Sequence, residues 1–216
     1  MSHTCRVLLA DDHLLIAKGI QKLLEPEFEL VGIVEDGRSL VTAVTTLKPD
    51  IAVVDIGLPL LNGLDASKHI KKANPDVKII VLTMHSEPAF VKQAFRVGVS
   101  GYVLKQSVGT ELVQAIHKVL EGHTFTSPMV TQGLVDPANA PPPGEGDRFL
   151  QSLSTRQREV LQLVAEGKAT KEIAWILEIS IKTVEFHKTR IMKELHLRSA
   201  ADLTKYAISA GLTSIH

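Results

Sequence analysis

The chain has 216 residues, 44% of them hydrophobic, and its 24 lysines and arginines balance its 24 aspartates and glutamates. This length can bury a real core in one large or two small domains. The single cysteine excludes a disulfide framework, and no apolar run approaches the roughly 20 residues that span a bilayer. We therefore expect a soluble, cytoplasmic protein without a membrane segment, and the N-terminus lacks the layout of a secretion signal.

Residues 1–122 alternate short apolar runs with helical patterns. The runs are rich in aliphatic residues and lack strict alternation, as is typical of strands covered by helices on both faces. They occupy residues 7–10, 30–34, 51–55, 78–83 and 101–105. The helical patterns begin near His13, Arg38, Gly63, Glu87 and Val108. Five strand–helix units predict an α/β domain built on a doubly wound, five-stranded parallel sheet.

Polar residues stand where four of these strands end. Asp11 and Asp12 follow the first strand, and the third, fourth and fifth end on Asp55, Thr83 and Lys105. Each alone has an ordinary structural explanation, such as helix capping for either of the paired aspartates. Because parallel strands bring their carboxyl ends to one edge of the sheet, where ligands bind, the joint placement favours a functional site.

The residue types at this edge indicate phosphate chemistry. Three carboxylates in one crevice repel one another and are stable together chiefly around a hard divalent cation, for which Mg²⁺ fits because it accepts carboxylate, water and phosphate oxygens. A lysine and a hydroxyl opposite the metal can bind the remaining oxygens of a phosphoryl group. The set predicts phosphoryl transfer to an aspartate with Mg²⁺ as cofactor.

Four motifs resemble those of the receiver domain of two-component response regulators, across roughly residues 5–122. They are DD at 11–12, DIGLPLLNG at 55–63, VLT at 81–83 and GYVLK at 101–105. The resemblance implies a flavodoxin-like receiver that a partner histidine kinase phosphorylates.

The resemblance also assigns roles to individual residues. It implies that Asp55 is the phosphoacceptor, that Thr83 binds the phosphoryl group and that Lys105 pairs with it. It implies that Tyr102 is a switch aromatic, which turns inward when Thr83 is drawn to the phosphate. The implied metal ligands are Asp11, Asp12 and Asp55.

A change of composition separates the two halves of the chain. Residues 126–149 contain five prolines and three glycines without a sustained period. We therefore predict a linker over residues 123–149, stiff near the run of three prolines, with a short helix around Met129 to Leu134 as an open option.

Residues 150–216 show helical patterns alone, which predicts a small all-α domain. This segment carries ten basic and seven acidic residues, a mild indication of a polyanionic partner. Apolar stripes at 173–177 and 184–195, separated by a short break at Ile179 and Ser180, predict a helix-turn-helix. Periodicity alone leaves open a helical pair with solvated charges. Trp175 and His187 are expected to pack between helices.

The sequence over residues 153–195 resembles the LuxR-type DNA-binding domain, and its combination with a receiver resembles the NarL/FixJ class of response regulators. The resemblance implies that residues 181–195 form a recognition helix in double-stranded DNA. The helix at 199–210 resembles the one through which such domains pair, which predicts a homodimer on DNA. The predicted DNA-contacting residues are Lys182, Thr183, Glu185, Phe186, Lys188, Thr189, Arg190 and Lys193.

These features predict a DNA-binding transcription regulator that phosphorylation of Asp55 switches, not an enzyme. A phosphohydrolase of the haloacid dehalogenase type is the first alternative. Such enzymes carry an aspartate two residues after the nucleophile, and this chain has Gly57 there. The second alternative is a constitutive DNA-binding protein whose receiver serves only dimerisation.

Overall fold

The fold was determined as a computed structural model, which describes residues 4–86, 88–130, 153–197, 199–209 and 212. The chain divides into two compact units, Met1–Ala140 and Pro141–His216. Within the described ranges, no helix combines the length and the apolar character that crossing a membrane requires.

A six-stranded parallel sheet forms the centre of the first unit. In the order of the sheet, the strands are β2, β1, β3, β4, β5 and β6. Their ranges are β1 Arg6–Ala10, β2 Glu29–Val34, β3 Ile51–Asp55, β4 Lys78–Thr83, β5 Gly101–Leu104 and β6 Phe125–Thr126. Every residue of β3 and β5 is buried, which explains the continuous apolar runs of these central strands.

Helices cover both faces of the sheet, as the doubly wound prediction requires. They are α1 Leu14–Leu24, α2 Gly37–Leu47, α3 Gly63–Ala73, α4 Pro88–Arg96 and α5 Val108–Leu120, with a 3₁₀ turn at Lys105–Ser107. One core layer packs α2, α3 and α4 on the sheet, and the other packs α1 and α5. The predicted α/β class is confirmed.

The sixth strand corrects the prediction of five. Phe125 pairs with Gly101 and Thr126 with Tyr102, so β6 extends the sheet beyond β5. A strand of two residues is too short to produce a pattern in the sequence. It forms because its backbone pairs with β5 and because Phe125 is buried. These residues lie within the segment 123–149 that was predicted to be a linker.

The predicted short helix after β6 is only partly within the described residues. Residues 128–130 are helical, and residues 131–134 lie outside the described ranges. The linker boundary near residue 150 also lies outside them and stays a prediction.

The loop between β3 and α3 folds tightly over the end of β3. Asn62 caps α3 by accepting a hydrogen bond from the Asp65 backbone, and the Gly63 amide donates to the Ile56 carbonyl at 2.9 Å. A Cβ atom on Gly63 would lie 2.1 Å from the carbonyl oxygen of Asp55. Glycine at position 63 therefore permits the close approach that positions Asp55.

We expect Gly63→Ala to destabilise the protein by roughly 3 kcal/mol or more, because the overlapped atom is backbone and cannot rotate away. Gly19→Ala is the matched control, since a Cβ at this helical position meets nothing within 4 Å. That control should be neutral or stabilising by up to about 1 kcal/mol. Urea unfolding measures both, and a Gly63→Ala protein as stable as wild type would contradict the loop geometry.

The second unit is helical throughout its described residues. Its helices are α6 Thr155–Ala165, α7 Thr170–Ile176, α8 Ile181–Glu194 and α9 Ala200–Ser209. The start of α6 is fixed by a capping box between Ser154 and Gln157. Between α7 and α8 the chain turns at Glu178, whose φ is 53°, and α8 begins after its N-cap Ser180. The α7–turn–α8 arrangement confirms the predicted helix-turn-helix layout.

Candidate functional site

An ion-paired cluster occupies the carboxyl edge of the sheet. The Nζ atom of Lys105 lies 2.7 Å from Oδ2 of Asp55 and 3.1 Å from Oδ2 of Asp11. Asp11 is fully buried and Asp55 is 5% exposed. The sheet brings these residues together because Ala10 pairs with Val54 in neighbouring strands, and each aspartate follows its paired residue. One lysine thus serves two buried carboxylates.

Burial and charge act in opposite directions on this cluster. Burial raises the pKa of Asp55 above its ordinary value, and the charge and hydrogen bond of Lys105 offset only part of that effect. Burial lowers the pKa of Lys105, but Asp55 and Asp11 together raise it above its ordinary value. Lys105 therefore stays charged. Ionisation of Asp55, by contrast, costs the folded state part of its stability.

This cost predicts a pH-dependent stability difference between wild type and Asp55→Asn. The raised pKa means that folded Asp55 binds a proton more tightly than unfolded Asp55, so wild-type stability falls as pH rises from about 4 through the raised pKa. In metal-free buffer, Asp55→Asn should be more stable than wild type at pH 7. The difference should disappear near pH 4. Thermal unfolding from pH 4 to 7 measures it, and a difference independent of pH would contradict the raised pKa.

The donors near Asp55 fit a divalent cation. One possible ligand atom from each of Asp11, Asp12, His13 and Asp55 lies within 4.8 Å of the others. Three of the four residues offer carboxylate oxygens, which Mg²⁺ prefers. Lys105 alone cannot neutralise three carboxylates, so a second cation would relieve their repulsion.

His13 also belongs to this cluster, although no motif in the sequence indicated it. Its backbone N–H donates to Asp11 Oδ1 at 2.8 Å, and its ring Nδ1 lies 2.9 Å from Asp12 Oδ1. The signal in the sequence was its place directly after the aspartate pair. The N–H contact explains how Asp11 is oriented at the start of α1.

Thr83 and Tyr102 are joined through the backbone of one residue. The His85 N–H donates to Thr83 Oγ1 at 3.0 Å, and the hydroxyl of Tyr102 donates to the His85 carbonyl at 2.9 Å. Tyr102 is fully buried, and Thr83 is 2% exposed. Thr83 also pairs with Leu104, the residue before Lys105. The backbone of His85 thus contacts both the Thr83 and the Tyr102 side chains.

The exposed side of α8 carries most of the predicted DNA-contacting residues. Val184 and Ile191 are buried against the unit's core, so the opposite side of the helix faces outward. Phe186 is 59% exposed, a large apolar side chain left on the surface. Thr183 and Lys188 are half-buried. The other five predicted residues are exposed: Lys182, Glu185, Thr189, Arg190 and Lys193.

Glu185 and Lys188 also bind the preceding helix, where the Lys188 Nζ donates to Thr170 Oγ1 at 3.3 Å. Thr170 Oγ1 donates to Glu185 Oε1 at 2.8 Å, and Lys188 Nζ donates to the same oxygen at 3.0 Å. These two hydrogen bonds hold the pKa of the Glu185 carboxyl below its ordinary value. The pair therefore braces α8 against the N-terminus of α7.

The prediction for Trp175 is wrong. Its side chain is 83% exposed on α7 and does not pack between helices. Ile173 and Ala174, on the same helix, are buried and form the inward stripe, so Trp175 falls outside that stripe. His187 is half-buried, with its Nδ1 atom shielded, and burial lowers the pKa of its ring together with the charges of Arg156 and Arg190.

Both units match known protein families. Residues 7–117 match the response regulator receiver domain, and residues 151–207 match the bacterial regulatory proteins of the luxR family. The oxygen regulatory protein NreC of Staphylococcus carnosus is 34% identical over 218 residues, covering 96% of this chain and 98% of NreC.

Solved structures of relatives show the same combination. The RcsB response regulator of Salmonella typhimurium matches with a TM-score of 0.65 at 30% identity, covering 96% of this chain and 98% of that one. A complex of the response regulator RcsB with DNA matches with a TM-score of 0.58 at 32% identity, covering 96% of this chain and 99% of RcsB. The chain therefore belongs to the two-component response regulators of the NarL/FixJ class, transcription regulators and not enzymes, which join a receiver domain to a LuxR-type DNA-binding domain.

Proposed function

We propose that this protein is switched by phosphorylation of Asp55 and that the phosphorylated form changes its binding to double-stranded DNA. The observation that carries the proposal is the single lysine held between two buried carboxylates, 2.7 Å from Asp55 and 3.1 Å from Asp11. A purely structural salt bridge needs one carboxylate for one lysine. The surplus negative charge suits a divalent cation, and that cation together with Lys105 would offset the negative charge of a phosphoryl group.

The reaction transfers a phosphoryl group to a carboxylate oxygen of Asp55. A bond forms between that oxygen and phosphorus, while the bond from phosphorus to the imidazole nitrogen of a kinase histidine breaks and the imidazole leaves. Asp11, Asp12 and Asp55 would hold Mg²⁺, which would supply positive charge against the negative charge of the phosphoryl oxygens. Lys105 stabilises the same charge as a fixed donor, and the Gly57 N–H orients Asp55 by donating to its Oδ1 at 3.2 Å.

The switch follows from the contacts of His85. When the Thr83 hydroxyl turns to bind the phosphoryl group, it exchanges its bond with the His85 N–H for one with phosphate oxygen. The loop after β4 then moves, and Tyr102 moves with it because its hydroxyl is bonded to the His85 carbonyl. Phosphorylation thereby shifts the equilibrium between two arrangements of Tyr102 and the loop after β4.

The second unit binds DNA by inserting α8 in the major groove. The protein binds as a homodimer, and each protomer contacts one of two half-sites. The match to an RcsB–DNA complex and the exposed side of α8 support this assignment. The proposed contacts to bases and phosphates are made by Lys182, Thr183, Glu185, Phe186, Lys188, Thr189, Arg190 and Lys193. We place the protein in the cytoplasm, where a histidine kinase and DNA are both accessible.

Intact-protein mass spectrometry tests the receiver chemistry. The full chain is incubated with Mg²⁺ and acetyl phosphate, a small phosphodonor, and compared with Asp55→Asn. We expect one adduct of about 80 Da, the mass that a phosphoryl group adds, in wild type and none in the variant. Folded wild type without an adduct would favour a constitutive DNA-binding protein.

A further inference from the structure

We propose that Ser127 is a positioning residue for Lys105 and that it links the phosphorylation site to the chain leading to the DNA-binding unit. The proposal rests on the proposed function, since it assigns Lys105 a part in phosphoryl transfer. Ser127 lies directly after β6, in the segment that the sequence analysis assigned to a linker, and it is fully buried.

Three hydrogen bonds of Ser127 join it to β5 and α5. The Leu104 N–H donates to Ser127 Oγ at 3.0 Å, and the hydroxyl donates in turn to the carboxylate of Glu111. The Ser127 N–H donates to the carbonyl of Tyr102 at 2.9 Å. The serine thus holds the last residues of β5 through its backbone N–H and its hydroxyl oxygen, and the same hydroxyl joins them to α5 by donating to Glu111.

The residues that Ser127 holds determine the positions of the Lys105 and Tyr102 side chains. Leu104 immediately precedes Lys105, so the Leu104 N–H bond sets where the lysine leaves the sheet. Tyr102 pairs with Thr126 and accepts the Ser127 N–H on its carbonyl. A change in the position of Leu104 is transmitted to the Lys105 side chain, whose Nζ lies 2.7 Å from Asp55.

The segment after Ser127 continues the contact with the same region. Val130 is 1% exposed and belongs to the core layer that contains Tyr102 and Leu104. The Gln106 side chain donates to Met129 Sδ at 3.5 Å, on the other side of Lys105. Residues 125–130 therefore hold the chain both before and after Lys105, and beyond them the chain runs to the DNA-binding unit.

This arrangement couples the phosphorylation site to residues 125–130, and the coupling acts in both directions. A shift of β5 that follows from a response of Lys105 or Tyr102 to a phosphoryl group moves the anchor of residues 125–130. By reciprocity, a constraint on that segment changes the position of Lys105 and with it the ease of phosphorylation. A buried serine that merely stabilised the fold would affect stability without a specific effect on the rate of phosphorylation.

The first experiment compares Ser127→Ala with Ser67→Ala by the rate of the mass adduct with acetyl phosphate and Mg²⁺. Ser67 is the matched control, a fully buried serine whose hydroxyl donates to the Gly63 carbonyl within α3. We expect Ser127→Ala to lower the maximal rate about tenfold, the effect of losing the buried hydrogen bond that anchors Leu104, with the half-saturating acetyl phosphate concentration unchanged. Ser67→Ala should keep the wild-type rate at a similar loss of melting temperature.

Equal rates for the two variants would overturn the positioning role. Wild type without an adduct would instead remove the proposed function, so the two failures are distinguishable. If Ser127→Ala does not fold, Glu111→Ala serves in its place, because it leaves the serine hydroxyl but removes the acceptor that orients it. A rate for Glu111→Ala at least threefold below wild type supports the proposal, and a wild-type rate overturns it.

Hydrogen–deuterium exchange tests the link to the chain beyond the receiver. Phosphorylation of the full-length protein should change the exchange rate of the peptide covering residues 125–130. The change should be absent in Asp55→Asn and reduced in Ser127→Ala. Unchanged exchange of this peptide in phosphorylated wild type would overturn the link.

Discussion

Replacing Lys105 with methionine should slow phosphorylation of Asp55 by about 100-fold or more, the typical loss when a fixed donor to developing charge is removed. Lys105 is the cation that contacts both buried carboxylates, Asp55 and Asp11. Methionine keeps much of the side-chain volume, so the packing around the 11% exposed lysine is largely retained. The slower reaction would therefore result from the missing positive charge at the reacting oxygen.

The rate of the mass adduct with acetyl phosphate and Mg²⁺ measures this effect. Lys22→Met, at an exposed position in the last turn of α1, is the control for removing one positive charge and should react at the wild-type rate. If Lys105→Met reacted within threefold of wild type, the lysine would have only a structural role. Urea unfolding of both variants separates a slow reaction from a loss of folded protein.

The second large effect concerns DNA. The affinity of the full chain for a random-sequence duplex should fall by about 10³-fold or more between 50 and 200 mM salt, because a dimer that neutralises six or more phosphates releases their counterions. Fluorescence anisotropy of a labelled duplex measures the slope of log affinity against log salt. A slope near zero would contradict DNA binding through the charged side of α8.

Replacing Lys182 tests the same salt dependence at a single residue. It is exposed in the first turn of α8, and Lys182→Ala should reduce the magnitude of the salt slope by about one for each protomer bound. Lys22→Ala, on the receiver, should leave the slope unchanged. A loss of affinity at Lys182→Ala for one DNA sequence only would instead identify Lys182 as a base reader.

The cluster around Asp55 could be predicted because it depends on a general property of parallel sheets. Each strand of an open parallel sheet delivers its last residues to the same edge, so Asp11, Asp55, Thr83 and Lys105 converge whatever their distance along the sequence. The buried strands themselves were evident from unbroken aliphatic runs. The helix-turn-helix was evident from two apolar stripes and a short break.

The features that the sequence did not reveal depend on contacts without a local pattern. The strand β6 has two residues, and the Ser127 hydroxyl joins Leu104 and Glu111 across 23 and 16 positions of the chain. Trp175 was expected to pack between helices, but its place on α7 lies off the buried stripe and leaves it 83% exposed. Hydrophobicity alone does not determine burial when the helix face is already set by its neighbours.

The most direct test of the central claim is the affinity of the full chain for DNA before and after phosphorylation. Wild type and Asp55→Asn are titrated with the same labelled duplex, selected from a random pool by the wild-type protein, with and without acetyl phosphate and Mg²⁺. We predict that acetyl phosphate changes the affinity of wild type by about fivefold or more and leaves the affinity of Asp55→Asn unchanged. Equal affinities of wild type with and without the adduct on Asp55 would contradict this prediction.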